Sequence, residues 1–364
     1  MITEKKNQHY IPKFYLRNFS YNGNKKQIGI FNTNNGFYFD RATLKDQASK
    51  DFFYGYDGKI EGDLSKIEHY VSSAIREVVE NRVLPRKGSE EHLKLLMFMA
   101  LNDTRNPVRI EGMKNMFLEM GKKLLEIDPN TDISKLVPSP SHQDTIKNSL
   151  SNIKVVLDYT KDLDFKLLIN RTDRPFISSD CPNVRYNQFL ELKKWGHSKT
   201  GYGTTGLQIF IPLSSEVTII FFDSGIYKVG DKKKHLYCIN KQQDVDSINV
   251  LQFVNCIESI YFDEKASEKY IKYLYNLSLK YKKANIARSD LNYIVKEGEN
   301  VDLVLNSGQK NLIILGSSDC ETKLQIDGLK IHKKGKAHVL NPTMAQLRPH
   351  PLKLKILESR QNSI

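Results

Sequence analysis

The chain has 364 residues, 40% of them apolar, with 18 Tyr, 17 Phe and a formal net charge of +13 at pH 7. It is too long for one ordinary core, which points to two domains or one domain with an appendage. No apolar run approaches the roughly 20 residues that a membrane helix needs, and the four separated cysteines (Cys181, Cys238, Cys256, Cys320) form neither a zinc signature nor a disulfide framework. The opening Met-Ile-Thr-Glu-Lys-Lys lacks the apolar stretch of a signal peptide, so the chain reads as soluble and cytoplasmic, with no membrane partner.

The first informative stretch is His9 to Phe19, His-Tyr-Ile-Pro-Lys-Phe-Tyr-Leu-Arg-Asn-Phe. Four aromatic rings, an Ile and a Leu in eleven residues cannot stay in water, so the segment must dock into the body of the fold and carry His9 with it. Residues 25–56 read as short strands and turns, with Gln27–Phe31 and Gly36–Phe39 β-rich. A helix from about Glu61 to Asn81 follows from the helical spacing of Ile60, Leu64, Ile67, Val71, Ile75 and Val79. Ser89 can cap the next helix, whose run Leu95–Leu101 is apolar all round and belongs at the centre of a helical layer. Asn106 before Pro107 has the form of an N-cap with Pro at the first helical position, which starts a third helix to about Ile127. Pro138 and Pro140 break the chain, and a fourth helix spans about Gln143 to Leu157.

Strands take over at Asp164–Ile169, Pro175–Ser179, Leu207–Ile211 and Val217–Phe222. Two helices run from about Val245 to Ile260 and from Glu264 to Lys283. Short β-like pieces then recur at Val301–Leu305, Leu312–Leu315, Lys323–Ile326 and Lys336–Leu340. The segregation of helix and strand blocks predicts an α+β fold, a helical layer on a mostly antiparallel sheet. The predicted division is a core domain over 1–284 and a small basic β-rich module over 285–364. From Lys323 to Arg360 there are nine Lys or Arg against Asp327 and Glu358. This run is either a solvated face or a phosphate-contacting surface for nucleic acid.

Four residues stand out as able to carry chemistry. Asp180 ends a buried strand just before Pro182, where it either faces a ligand or caps the turn through backbone amides. Arg105 ends an all-apolar helix and needs a carboxylate, a phosphate or carbonyls; Asp180 or Glu68 can supply the carboxylate. His9 is suited to acid, base or metal-ligand work near neutrality, or to a hydrogen bond in the core. Asp180 and Glu68 together could hold Mg or Mn. Weaker signals are the Gly201–Gly206 pattern, which precedes a strand and so reads as a loop or a lid, the Arg86-x5-His92 spacing of helical HEPN ribonucleases, and Cys181 as a nucleophile.

Beyond these residues, the N-terminal signature resembles a bacterial family known as domain of unknown function 4238, with Ile11 where the family has Val. The Glu68 helix, Arg105-Asn-Pro107, Phe176-Ile-Ser-Ser-Asp-Cys-Pro182, Ile211-Pro-Leu-Ser-Ser215 and the Val250–Cys256 helix are similar to further family motifs in the same order, over roughly residues 5–265. The resemblance brings a grouping and no activity. The residues themselves suggest a nucleic-acid phosphodiesterase of host-defence or toxin-like type, built on His9, Glu68, Arg105 and Asp180. The alternatives are a non-enzymatic nucleic-acid- or protein-binding module of a defence system, and an enzyme acting on a small anionic nucleotide.

Overall fold

The computed structural model describes residues 6–130, 132, 141–196, 198–283, 285–292, 300–307, 312–318, 320–341 and 346–361. The breaks expected at Pro138 and Pro140 lie outside them. At the N-terminus, β1 (Asn7–His9) leads into the short helix α1 (Lys13–Leu16), and Tyr10, Ile11, Tyr15, Leu16 and Phe19 are buried. The Tyr15 hydroxyl donates to the Pro212 carbonyl at 2.6 Å and shares a 2.7 Å hydrogen bond with Ser178 Oγ. The aromatic segment is thus pinned to strands almost two hundred residues away. The β2 (Gln27–Asn32) and β3 (Tyr38–Thr43) hairpin follows, and β4 (Ser49–Asp51) pairs antiparallel with β1.

The helical layer comes next. α2 (Lys59–Asn81) buries the stripe Leu64, Val71, Ala74, Ile75 and Val78. α3 (Glu90–Thr104) starts at Ser89, whose side chain accepts from the His92 amide, and α4 (Pro107–Ile127) starts at Asn106, whose side chain accepts from the Val108 amide. The single helix expected over 143–157 is two, α5 (His142–Ser151) and α6 (Ile153–Thr160).

The strands are β5 (Asp164–Asn170), β6 (Ser178–Ser179), β7 (Val184–Tyr186), and, after the helical turn α7 (Gln188–Leu192), β8 (Gln208–Pro212), β9 (Val217–Phe222), β10 (Tyr227–Val229) and β11 (Leu236–Ile239). α8 (Gln242–Asn255), β12 (Ser259–Phe262) and α9 (Glu268–Ser278) complete this part. A five-stranded sheet runs β11-β5-β9-β8-β7, antiparallel except at β11–β5. A four-stranded antiparallel sheet runs β3-β2-β12-β6.

Strand alternation divides the core. Leu167, Ile169, Ile209, Ile219 and Phe221 pack with α2 and α3, while Leu168, Phe210, Ile220, Val184 and Tyr186 pack with α8 and α9 on the other face. Both faces are covered, which is why these strands read as unbroken apolar runs. The fold is α+β.

The structure differs from the sequence expectation in two regions. The helix expected to reach Ile260 stops at Asn255, and Ser259–Phe262 becomes a strand between β2 and β6. Beyond residue 284 the described residues are mixed helix and strand rather than β-rich. β13 (Asn285–Asn292) and β14 (Leu312–Ser318) form a hairpin against α4, but Val301–Asn306 is helix α10 and Lys333–Ala337 is helix α11. Short apolar runs do not distinguish a strand from a helix. The C-terminal stretch is also woven into the body. Cys320, Leu324, Ile326 and Leu329 join the second core cluster, β15 (Leu329–Ile331) pairs with β10, and α12 (Pro349–Gln361) packs on α6. Arg348 is buried, with Nε and Nη2 on Asp162 at 2.8 and 2.9 Å, so it is not available to the basic surface read over 323–360. Its lysines 323, 330, 333, 334, 336, 353 and 355 are exposed.

Candidate functional site

The apolar run of α3 drives that helix through the core and delivers five consecutive polar residues, Asn102 to Asn106, to its buried end. Pro107 cannot continue the helix, and Asn106 before it adopts φ −67°, ψ 129°, so the chain turns sharply there. The turn leaves Arg105 fully buried. Its Nη1 donates to Glu68 Oε1 at 2.6 Å, and the Glu68 side chain is 25% exposed, which puts this edge of the pair against solvent. Arg105 Nε and Nη2 are buried and make no hydrogen bond of normal geometry among the described residues. Burial pushes the Tyr54 phenol up in pKa and the Arg105 charge opposes that, which places Tyr54 beside the guanidinium.

His9 reaches the same centre from β1. The Tyr54 hydroxyl donates to the His9 carbonyl at 3.2 Å. The His9 ring bonds through Nε2 to the Lys45 carbonyl at 2.9 Å. A carbonyl only accepts, so Nε2 carries the proton and Nδ1 the lone pair. Burial, together with the charges of Lys13 and Arg105, lowers the imidazole pKa to about 4. At neutral pH His9 is therefore an uncharged base next to a cation.

Asp180 does not join this centre as a ligand. Its Oδ1 accepts from the Ile257 amide at 2.8 Å, and its Oδ2 accepts from Glu258 at 2.9 Å and Ser259 at 2.8 Å. Those amides belong to the turn into β12, and the carboxylate replaces the partners a helix would have given them. Burial pushes its pKa up to about 6 against the pull of the three amides. Asp180 touches the centre only through its main chain, whose carbonyl accepts from Asn106 Nδ2 at 2.7 Å. The expected Asp180–Glu68 pair for Mg or Mn is thus not assembled, since one carboxylate serves backbone amides and the other serves Arg105. Among the described residues no group of three or more His, Cys, Asp or Glu is placed to hold a metal ion.

The weaker signals resolve as packing. His92 stacks on Phe165 with centroids 4.6 Å apart, and its Nδ1 accepts from the Gly88 amide, so it is a core histidine. Burial pushes the Cys181 thiol up to about 11. The Gly201–Gly206 loop is tied down rather than poised as a lid. The Gly203 carbonyl accepts from the Arg348 amide at 2.8 Å, and the Gly206 amide donates to Asp223 at 2.8 Å.

Five polar residues escaped the sequence reading. Tyr54 sits among turn residues with nothing to mark it. Asp103 and Arg109 flank the Arg105 turn, joined Oδ1 to Nε at 3.2 Å, and their spacing across Asn106-Pro107 was a usable signal. Tyr202 donates to Asp103, and the Arg185 guanidinium lies 4.7 Å over the Tyr202 ring. Only long-range folding brings those two to α3.

Comparison with curated proteins gave no match, and comparison with solved structures gave none. The family described as "Protein of unknown function (DUF4238)" matches residues 7–266, a span that holds His9, Glu68, Arg105 and Asp180 together with the two main sheets apart from any C-terminal segment. The chain belongs to this family.

Proposed function

We propose that the His9–Glu68–Arg105 centre receives a phosphodiester of nucleic acid and cleaves it. The observation that carries this reading is the Arg105 guanidinium, fully buried, with one carboxylate on it among the described residues, the one-quarter exposed Glu68, and with Nε and Nη2 facing the neutral Tyr54 side of the centre without a well-formed hydrogen bond. A buried cation left this way favours an anionic guest, and a planar fork suits phosphate oxygens. Arg105 would hold the scissile phosphate and stabilise the charge that grows on it. His9 Nδ1, uncharged at neutral pH, would take the proton of the attacking oxygen, a water or the RNA 2′-hydroxyl, as it bonds to phosphorus, while the bond to the leaving oxygen breaks and that oxygen takes a proton from solvent. Glu68 fixes the plane of the guanidinium, and Asp180 acts as a positioning residue by anchoring the turn at 257–259. The exposed lysines of 323–360 would hold the flanking phosphates of the strand.

The test is cleavage of end-labelled single-stranded RNA and DNA, with and without a chelator. Arg105 rather than a metal ion holds the phosphate in this reading, so the wild type is expected to cut in both conditions. His9→Gln and Arg105→Gln are expected to lose roughly 100-fold or more. Cleavage unchanged in both variants would end the assignment. A second reading, a non-enzymatic binding module of a defence system, is favoured by one observation: His9 is only 7% exposed. Under it the wild type binds the strand and leaves it intact.

A further inference from the structure

A second set of guanidinium groups gathers around Asp103, two residues before Arg105. Side chains two apart on a helix leave on opposite sides, so this set is separate from the Arg105 centre. Asp103 is 6% exposed and is held below the usual carboxylate range, because Arg109 and Arg185 outweigh the effect of burial. It accepts from Arg109 Nε on one oxygen and from the Tyr202 hydroxyl on the other. Both oxygens are thus occupied without any bond from Arg185.

Arg185 is delivered by β7, one of the two edge strands of the five-stranded sheet. Val184 and Tyr186 point into the second core cluster, so alternation turns Arg185 to the opposite face, beside Ile209 and the helices. Its guanidinium is stacked over Tyr202, which fixes its plane, and its Nε is buried without a hydrogen-bond partner among the described residues. Arg109 spends Nε on Asp103 and keeps 24% of its side chain open. It is the third residue of α4, where the helix end adds further positive potential. Among the described residues, two always-charged cations therefore share one carboxylate, and Arg185 has no charged hydrogen-bond partner. A half-buried arrangement of this kind lacks one negative charge.

We propose that Arg185 and Arg109 form a receptor for a phosphate group, with the stacked Arg185 presenting its fork and Asp103 and Tyr202 holding the pair in register. The site does not depend on the Arg105 reading. Phosphate fits better than a carboxylate, because two forks from different elements can each take oxygens of a tetrahedral group.

The test is isothermal titration with three probes, inorganic phosphate, adenosine 5′-monophosphate and a 5′-phosphorylated oligothymidylate, and with adenosine as the unphosphorylated control. Binding of phosphate alone identifies a free-anion site. Binding of the monophosphate but not of adenosine identifies a nucleotide site, and binding only of the oligomer identifies a strand-end site. Whichever probe binds, Arg185→Gln is expected to weaken it roughly tenfold, the loss of one charge-assisted contact, while Arg105→Gln leaves the Arg185-dependent component in place. In the wild type, the same probe should slow phenylglyoxal modification of Arg185, read by peptide mass, which keeps the proposal testable if Arg185→Gln does not fold. No binding of any probe, binding unchanged in a folded Arg185→Gln, or Arg185 modification unaffected by a probe that binds would each overturn it.

Discussion

Replacing Glu68 with Gln removes the carboxylate that pairs with Arg105 among the described residues while keeping size and a neutral acceptor. Arg105 is fully buried and bonded to Glu68 Oε1 at 2.6 Å. Among the described residues its other two nitrogen groups have no second carboxylate to fall back on, only the neutral Tyr54 side of the centre. Breaking a buried pair by removing one partner costs about 3–5 kcal/mol, because the remaining charge stays buried without compensation. Glu68 is one-quarter open to water, which lowers the expected loss to about 2–4 kcal/mol. Urea unfolding followed by far-ultraviolet circular dichroism should show that drop as a lower midpoint with an unchanged slope. Arg105→Met alone should cost a similar amount, and the double variant less than the sum, since the two changes remove one interaction. A Glu68→Gln protein within about 0.5 kcal/mol of wild type, on the same scale, would show that Arg105 is neutralised elsewhere and refute the reasoning.

Asp180→Asn should lower the thermal midpoint by several degrees, because a neutral amide cannot replace a carboxylate that accepts three amides at 257–259; an unchanged midpoint would contradict that role. Acid should weaken the histidine contribution to stability. Unfolded His9 and His92 take protons below about pH 6.5, whereas the folded imidazoles hold out to about 4, so their contribution is complete above pH 6.5 and drains away between those limits. Asp180 acts the other way, since its folded carboxyl takes a proton near pH 6 and the unfolded one only near 3.9. Burial raises the pKa of Glu191, Asp223, Asp244, Asp246 and Asp263 as well, so the histidine contribution is read by difference: His92→Phe, which keeps the stack on Phe165, should lose less stability than wild type between pH 7 and pH 4.5, and an equal loss would contradict the assignment. Finally, Arg348→Met should cost about 3 kcal/mol or more, as Asp162 and the Tyr159 and Thr204 carbonyls lose a buried partner. A variant as stable as wild type would mean that the C-terminal stretch is a free appendage after all.

The helices were legible because each carried its own punctuation. Ser89 and Asn106 with Pro107 fix two starts through side chains that bond the first amides, and the stripe from Leu64 to Val78 fixes the face of α2. The strands at 164–170 and 217–222 were legible as apolar runs, since both faces of the sheet are covered. What stayed hidden depends on distant partners. Ser259–Phe262 becomes a strand only because β2 and β6 flank it and Asp180 takes its leading amides. Val301–Asn306 and Lys333–Ala337 are too short for their own pattern to separate a helix from a strand. At the site, the burial expected of Arg105 called for a carboxylate from either Asp180 or Glu68, and the fold supplies Glu68. It could not tell whether Asp180 would face a ligand or its own backbone, because that turns on three amides 77 to 79 residues away. Arg185 and Tyr202 gave no local signal, since their meaning lies in the stack they form beside Asp103.

The Arg105 Nε–H group can be observed directly in a nitrogen-15 spectrum of arginine side chains, assigned by its loss in Arg105→Lys. Adding a single-stranded oligonucleotide that the protein leaves uncut, for example one with a non-hydrolysable backbone, should shift that resonance in a saturable way and leave the buried Arg348 signal in place. A titration that moves neither the frequency nor the exchange rate of the Arg105 signal, at strand concentrations where the protein is bound, would contradict the account.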